Sequence, residues 1–145
     1  PLLFHLLNYR KNIIDMTFML QKEVVERIVA APGTKTYGRL SVVIQALFDT
    51  ELMFIVPKES FDPQPKIESA ILYLKTKSRP LVQDLKPLEE IVKLAFSQRR
   101  KTLKNCLKSV LDQSQTQIDL SQRAEMLSLD SFVTLMNDYE KQYRN

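Results

Sequence analysis

Six cations, Lys93, Arg99, Arg100, Lys101, Lys104 and Lys108, fall in a stretch with no acid between Glu90 and Asp112. Unpaired lysine and arginine neutralise phosphates and release counterions, so such a run suits a nucleic-acid backbone. Lys101, Lys104 and Lys108 stand at i, i+3, i+7, which places them on one helical face. Beside them Leu103, Cys106, Leu107, Val110 and Leu111 form an apolar stripe, so one face can dock while the other meets phosphates. The competing reading is an ordinary solvated face, with Arg99 or Arg100 paired to carboxylates elsewhere in the fold. A second constellation is Phe61, followed by Pro63 and Pro65, which fix φ and stiffen the loop. An aromatic face held there can stack on a nucleobase, or it can plug the edge of a sheet. Lys66 next to it is a phosphate contact or a solvated strand start. Tyr37, Gly38 and Arg39 open a helix, from which Arg39 can reach a phosphate backbone.

Other residues carry less chemistry. Cys106 lies on the apolar stripe and reads as core. A single cysteine excludes an internal disulfide and a cysteine-cluster metal site, and a single histidine, His5, argues against a histidine-based zinc site. Asp15 and Glu23 fall on different elements and read as solvated or salt-bridged. The net charge of +4 is a mild pointer to a polyanionic partner. No run of about 18 apolar residues is present to span a membrane.

These side chains need elements to position them. Residues 2–8 read as the end of a helix and 13–20 as a strand, with Ile14, Met16, Phe18 and Leu20 on one face. Helices follow over 21–30 and 38–49. The apolar run 51–57 reads as a strand buried on both faces, and 67–75 as another strand. About nine residues join these two strands, too few for a parallel crossover, so they should run in opposite directions. The rest reads as helical: 88–96, 99–112, a short helix from Ser121 to about 127, and a last helix capped by Ser128. The division is 1–78, a linker at 79–87, and a helical domain over 88–145. Pro1 runs straight into Leu2-Leu3-Phe4, which reads as the interior of a longer chain.

Four ordered segments carry a resemblance. They are Met19-Leu20-Gln21-Lys22-Glu23-Val24-Val25, the stretch Pro32 to Val42, Phe61-Asp62-Pro63-Gln64-Pro65-Lys66-Ile67-Glu68-Ser69, and Phe96-Ser97-Gln98-Arg99-Arg100-Lys101-Thr102-Leu103. Together they resemble the KsgA-type ribosomal RNA small-subunit adenine N6,N6-dimethyltransferases, from Pro1 to about Met136. The resemblance implies a cytoplasmic enzyme, monomeric as a whole protein. It would use S-adenosylmethionine to dimethylate two adjacent adenosines near the 3′ end of small-subunit rRNA. It implies α/β plus α architecture: a seven-strand Rossmann-like methyltransferase sheet whose final strand runs antiparallel between the fifth and sixth, then a small all-helical RNA-binding domain. Strands 13–20, 51–57 and 67–75 would be the fifth, sixth and seventh. Phe61 would hold the flipped adenine by stacking, as an enzyme that extracts a base requires. Lys66 and Arg39 would touch substrate, and Lys93, Arg99, Arg100, Lys101, Lys104 and Lys108 would grip RNA.

The family's glycine-rich loop, acidic ribose ligand and catalytic Asn-Leu-Pro-Tyr loop do not occur in these residues. The resemblance therefore implies no catalytic, cofactor-binding or metal residue here, and an inactive chain when alone. It would bind small-subunit rRNA or the small ribosomal subunit, with no membrane and no metal. A lone copy would self-associate through an exposed sheet edge. Two other readings compete. The macrolide-resistance methylases of large-subunit RNA share a similar Phe-x-Pro-x-Pro-Lys loop, but Tyr37–Ser41 and Gln98–Leu103 favour the KsgA type. A non-catalytic RNA-binding or ribosome-assembly module is the other.

Overall fold

The structure is a computed structural model and describes residues 2–144. After a short helix α1 (Leu2–Leu7), strand β1 (Asp15–Gln21) alternates as a half-buried strand must. Met16, Phe18 and Leu20 turn inward, while Asp15, Thr17, Met19 and Gln21 face out. Ile14, expected on the inner face, precedes the strand and is exposed. The chain passes directly into α2 (Lys22–Ile28) and, after a loop, into α3 (Arg39–Leu47). From α3, Val42, Val43, Ile44, Ala46 and Leu47 are buried. Gln45 donates from Nε2 to the Ile28 and Ala30 carbonyls, at 2.7 and 2.8 Å, which fixes α3 against the end of α2.

β2 (Phe48–Val56) follows α3 without a loop, and β3 (Ser69–Thr76) completes a sheet of order β1-β3-β2. β3 is antiparallel to both neighbours, so the last strand lies between the first two, as expected. Ala70, Leu72 and Leu74 of β3 are fully buried on the face that α2 and α3 cover. The opposite face stays open. There Met19, Ile71 and Phe54 stand in one cross-strand row, with Met19 52% and Phe54 58% exposed.

This corrects the expectation that 51–57 is buried on both faces. β2 is an edge strand with a register shift between Leu52 and Phe54, and Met53, Phe54 and Ile55 are all exposed. Phe48, read as the end of the preceding helix, opens the strand instead.

The segment after β3 is sewn to α3. Lys77 N–H donates to the Leu47 carbonyl at 3.0 Å and Leu81 N–H to the Ala46 carbonyl at 2.9 Å, and Val82 is buried. α4 (Leu85–Ala95) starts earlier than the expected residue 88, because the Asp84 carboxylate caps it by accepting from Lys86 N–H at 3.1 Å. α4 buries Leu88, Ile91, Val92 and Ala95.

The helix expected over 99–112 is reduced to α5 (Leu103–Leu107). Its first donors are taken by the chain that crosses them: Leu103 N–H bonds the Gln122 carbonyl and Lys104 N–H the Leu120 carbonyl. Leu103, Cys106, Leu107 and Leu111 are still buried, but Leu111 is delivered by a turn rather than by helix. The helix expected from Ser121 is a single 3-10 turn, Ala124–Met126. Ser121 instead donates its backbone and hydroxyl to the Asp119 carboxylate, at 2.9 and 2.7 Å, which holds that carboxyl below its usual range.

α6 (Leu129–Arg144) is capped by Ser128, whose hydroxyl accepts from Ser131 N–H at 3.2 Å, and it buries Phe132, Leu135 and Met136. One continuous cluster of buried side chains runs from Leu7 and Val25 through the sheet to Phe132. Among the described residues no strand follows Thr76, and no helix is long and apolar enough to cross a membrane.

Candidate nucleic-acid interface

The loop between α2 and α3 ties the sheet to the helical part. Gly33 adopts φ +87°, a conformation that glycine takes without a Cβ penalty, and its N–H donates to the Glu125 carbonyl at 2.7 Å. Tyr37 is fully buried and its hydroxyl donates to the Leu127 carbonyl at 2.8 Å. Its ring meets Phe96 edge-on at 6.2 Å, and Phe96 stacks on Phe132 at 5.7 Å. Burial pushes the Tyr37 phenol far up. Tyr37 is therefore a packing residue, with no face left to stack on a base. Arg99 donates to the Lys35 carbonyl and pairs with Glu125 at 3.7 Å. It is a cross-brace between the two parts, at the cost of some of its freedom to meet another partner.

Arg39 stands exposed on the first turn of α3, where Ser41 holds the preceding backbone by accepting from Gly38 N–H at 3.1 Å. Arg39 and Leu40 line two neighbouring cavities. The smaller, of about 270 Å³, also has Arg27, Thr36, Phe96 and Arg99 in its wall. The larger, of about 560 Å³, opens toward α4 and includes Lys93. The structure therefore gathers Arg39 with Lys93 at one cavity and with Arg99 at the other.

The remaining cations are exposed but do not share a helix. Arg100 and Lys101 lie in the turn before α5, Lys104 on α5, and Lys108 just after it. The expected helical alignment of Lys101 with Lys104 and Lys108 is lost for the reason given above, the late start of α5.

Phe61 and Lys66 occupy the loop from β2 to β3. Phe61 is half-buried, with its N–H on the Lys58 carbonyl at 3.3 Å, and Lys66 is exposed. The loop is pinned to the end of β1, because Lys22 N–H donates to the Glu68 carbonyl at 3.0 Å and the Lys22 ammonium pairs with the Glu68 carboxylate at 3.6 Å. It thus sits beyond the carboxyl ends of β1 and β2, the edge where open α/β sheets bind ligands. Among the described residues no hydrogen bond, ion pair or ring contact joins Phe61 or Lys66 to the 93–108 cations.

Asp15 accepts from the Tyr73 hydroxyl at 2.9 Å, a bond that raises the Tyr73 phenol together with burial and the nearby Asp15 and Glu51 charges. Glu23 pairs with Arg27 at 3.1 Å. Neither carboxylate is placed for acid–base work. Cys106 is buried and His5 exposed, its ring 5.4 Å from Tyr9. Sequence reasoning missed Arg27, Thr36, Phe96, Phe4 and Lys86 as cavity-lining residues. Arg27 and Lys86 carry no local signal, since each reads as a surface charge on an amphipathic helix.

The family described as ribosomal RNA adenine dimethylase matches residues 1–141. The chain belongs to that family. Within the dimethylase family it is 52% identical over 146 residues to the ribosomal RNA small subunit methyltransferase A of Hydrogenovibrio crunogenus, covering 97% of this chain and 55% of that protein. The same protein of Francisella tularensis subsp. novicida is 51% identical over 143 residues, and that of Herminiimonas arsenicoxydans 49% over 140 residues, each match covering 94% of this chain and 55% of the relative. The chain thus spans about half the length of these curated relatives. Its fold is that of a dimethyladenosine transferase from Plasmodium falciparum, with TM-score 0.84, 21% identity, and 99% of this chain against 63% of that one. The 23S rRNA methyltransferase ErmE superposes less closely, with TM-score 0.63, 22% identity, and 88% of this chain against 55% of that one.

Proposed function

We propose that these residues form the RNA-gripping part of an S-adenosylmethionine-dependent enzyme that dimethylates two adjacent adenosines near the 3′ end of small-subunit rRNA. The observation that carries this reading is the near-50% identity to small subunit methyltransferases A along almost the whole chain. The family match over 1–141 includes both the Phe61 loop and the Lys93–Lys108 run. In this reading β1, β2 and β3 are the last three strands of a seven-strand sheet. Phe61 is the stacking wall of the adenine pocket, with Lys66 and Arg39 on the substrate. Lys93, Arg100, Lys101, Lys104 and Lys108 hold RNA phosphates, and Arg99 shares that work with its bracing role.

The residues present do not fit the methyl donor. A donor site of this class needs a glycine turn between a strand and a helix, so that backbone can approach the ligand. Gly33 and Gly38 lie on the loop between two helices, α2 and α3, and Gly33 is spent on Glu125. The chain alone is inactive in this reading. Among the described residues the outer edge of β1 is unpaired, and with the open Met19–Ile71–Phe54 face it gives a lone copy a surface for pairing with a second one.

Two measurements test the proposal together. Incubating the chain with radiolabelled S-adenosylmethionine and undermethylated small subunits should leave the RNA unlabelled. A labelled 3′-terminal rRNA fragment should bind the chain with an affinity that falls steeply with salt. Methyl incorporation would overturn the inactivity, and absence of RNA binding at low salt would overturn the gripping role.

A further inference from the structure

We propose that the cavity between α1, α3 and α4 is a nucleotide site, separate from the Phe61 loop, that takes one unstacked base of the RNA. The inference rests on the RNA-gripping reading above. The cavity measures about 560 Å³, within the range of roughly 300–1,000 Å³ typical of small-ligand pockets. Its apolar lining comes from Phe4, Leu40, Val43 and Val92. Phe4 keeps 46% of its surface exposed although it borders a cavity. An aromatic ring beside an apolar hollow is the feature on which unpaired bases stack, whatever their identity.

The polar rim is suited to the rest of a nucleotide. On α4, Lys86, Glu89, Glu90 and Lys93 stand at i, i+3, i+4, i+7 and so form one stripe along the cavity. Among the described residues no ion pair involves Lys86, Lys93 or Arg39. These three cations are available to phosphates. A site for bare phosphate would have no use for two carboxylates. Glu89 and Glu90, the latter oriented by the Tyr139 hydroxyl at 3.3 Å, can accept from a base amine or a ribose 2′-hydroxyl. Arg39 and Leu40 also line the smaller cavity with Arg27 and Arg99. A base seated against Phe4 would therefore leave its phosphate at Arg39, and the strand could continue toward the other arginines.

Fluorescence anisotropy with the 145-residue chain tests this. The probes are a labelled single-stranded RNA hexamer and a sugar–phosphate hexamer of the same length without bases. The native chain should prefer the base-bearing hexamer. Phe4→Ala should weaken that binding on the order of 10-fold and reduce the preference by the same factor, with the salt slope unchanged. Lys93→Ala should weaken both probes alike and lower the salt slope by about 0.7. A thermal midpoint of Phe4→Ala equal to that of the native chain excludes a folding effect. If the native chain binds the hexamer in a salt-sensitive way and Phe4→Ala leaves the preference intact, this site is overturned while the gripping role stands. If neither probe binds at low salt, both fall.

Discussion

Tyr37→Ala should lower the stability of the chain by about 3–5 kcal/mol, the cost of emptying a fully buried aromatic site. For a chain of this size that corresponds to a fall in thermal midpoint on the order of 10 °C. Three contacts act through this one side chain. The ring is fully buried, it meets Phe96 edge-on, and the hydroxyl satisfies the Leu127 carbonyl. Phe96 in turn stacks on Phe132 of α6, so a void at Tyr37 removes support from the chain that holds α6 against α3. Tyr37→Phe keeps the ring and leaves the carbonyl unpaired, and should cost about 1–3 kcal/mol. Circular-dichroism melts of both variants measure the two effects. An alanine variant melting within a degree of the native chain would show that the ring carries no load.

Removing Arg100, Lys104 and Lys108 together, as alanines, should flatten the salt dependence of RNA binding. Each lost contact with single-stranded RNA lowers the slope of log affinity against log salt by about 0.7, so three lower it by about 2. At a salt concentration of about 0.1 M this is a loss of roughly 100-fold. The three are exposed, and no ion pair claims them among the described residues. Arg99→Ala is the informative contrast, because Arg99 also braces Lys35 and Glu125. It should lower the melting temperature as well as the slope. A triple variant that binds with the native slope would remove the cation run from the interface.

The parts of this fold legible in sequence were those fixed by chain length and periodicity. The reversed direction of β3 relative to β2 followed from the short run between the two apolar segments, while its place between β1 and β2 came only from the family resemblance. The Ser128 cap was visible because an N-cap acts through the residues just after it. What stayed hidden depended on distant chain. α5 starts late because the carbonyls of Gln122 and Leu120 take the Leu103 and Lys104 donors, and a stripe of leucines cannot report that. β2 read as buried because an apolar run does not reveal which strand lies at an edge or which face lacks a helix. At the site, the cations were legible as a charge run. The role of Arg99 was not, since its partners lie 64 residues before it and at Glu125. The cavities of Arg39 were equally silent, because their walls come from elements far apart in sequence.

The open face of the sheet has a calorimetric consequence. Met19 and Phe54 are already in contact with water in the native state, so unfolding has less apolar surface left to hydrate. A well-packed chain of this length should show a heat-capacity increment of about 2 kcal/mol/K on unfolding. This chain should fall short of that value, and its denaturant slope should be shallow for the same reason. Its stability curve is then broad and flat, with a midpoint that says little about its stability at room temperature.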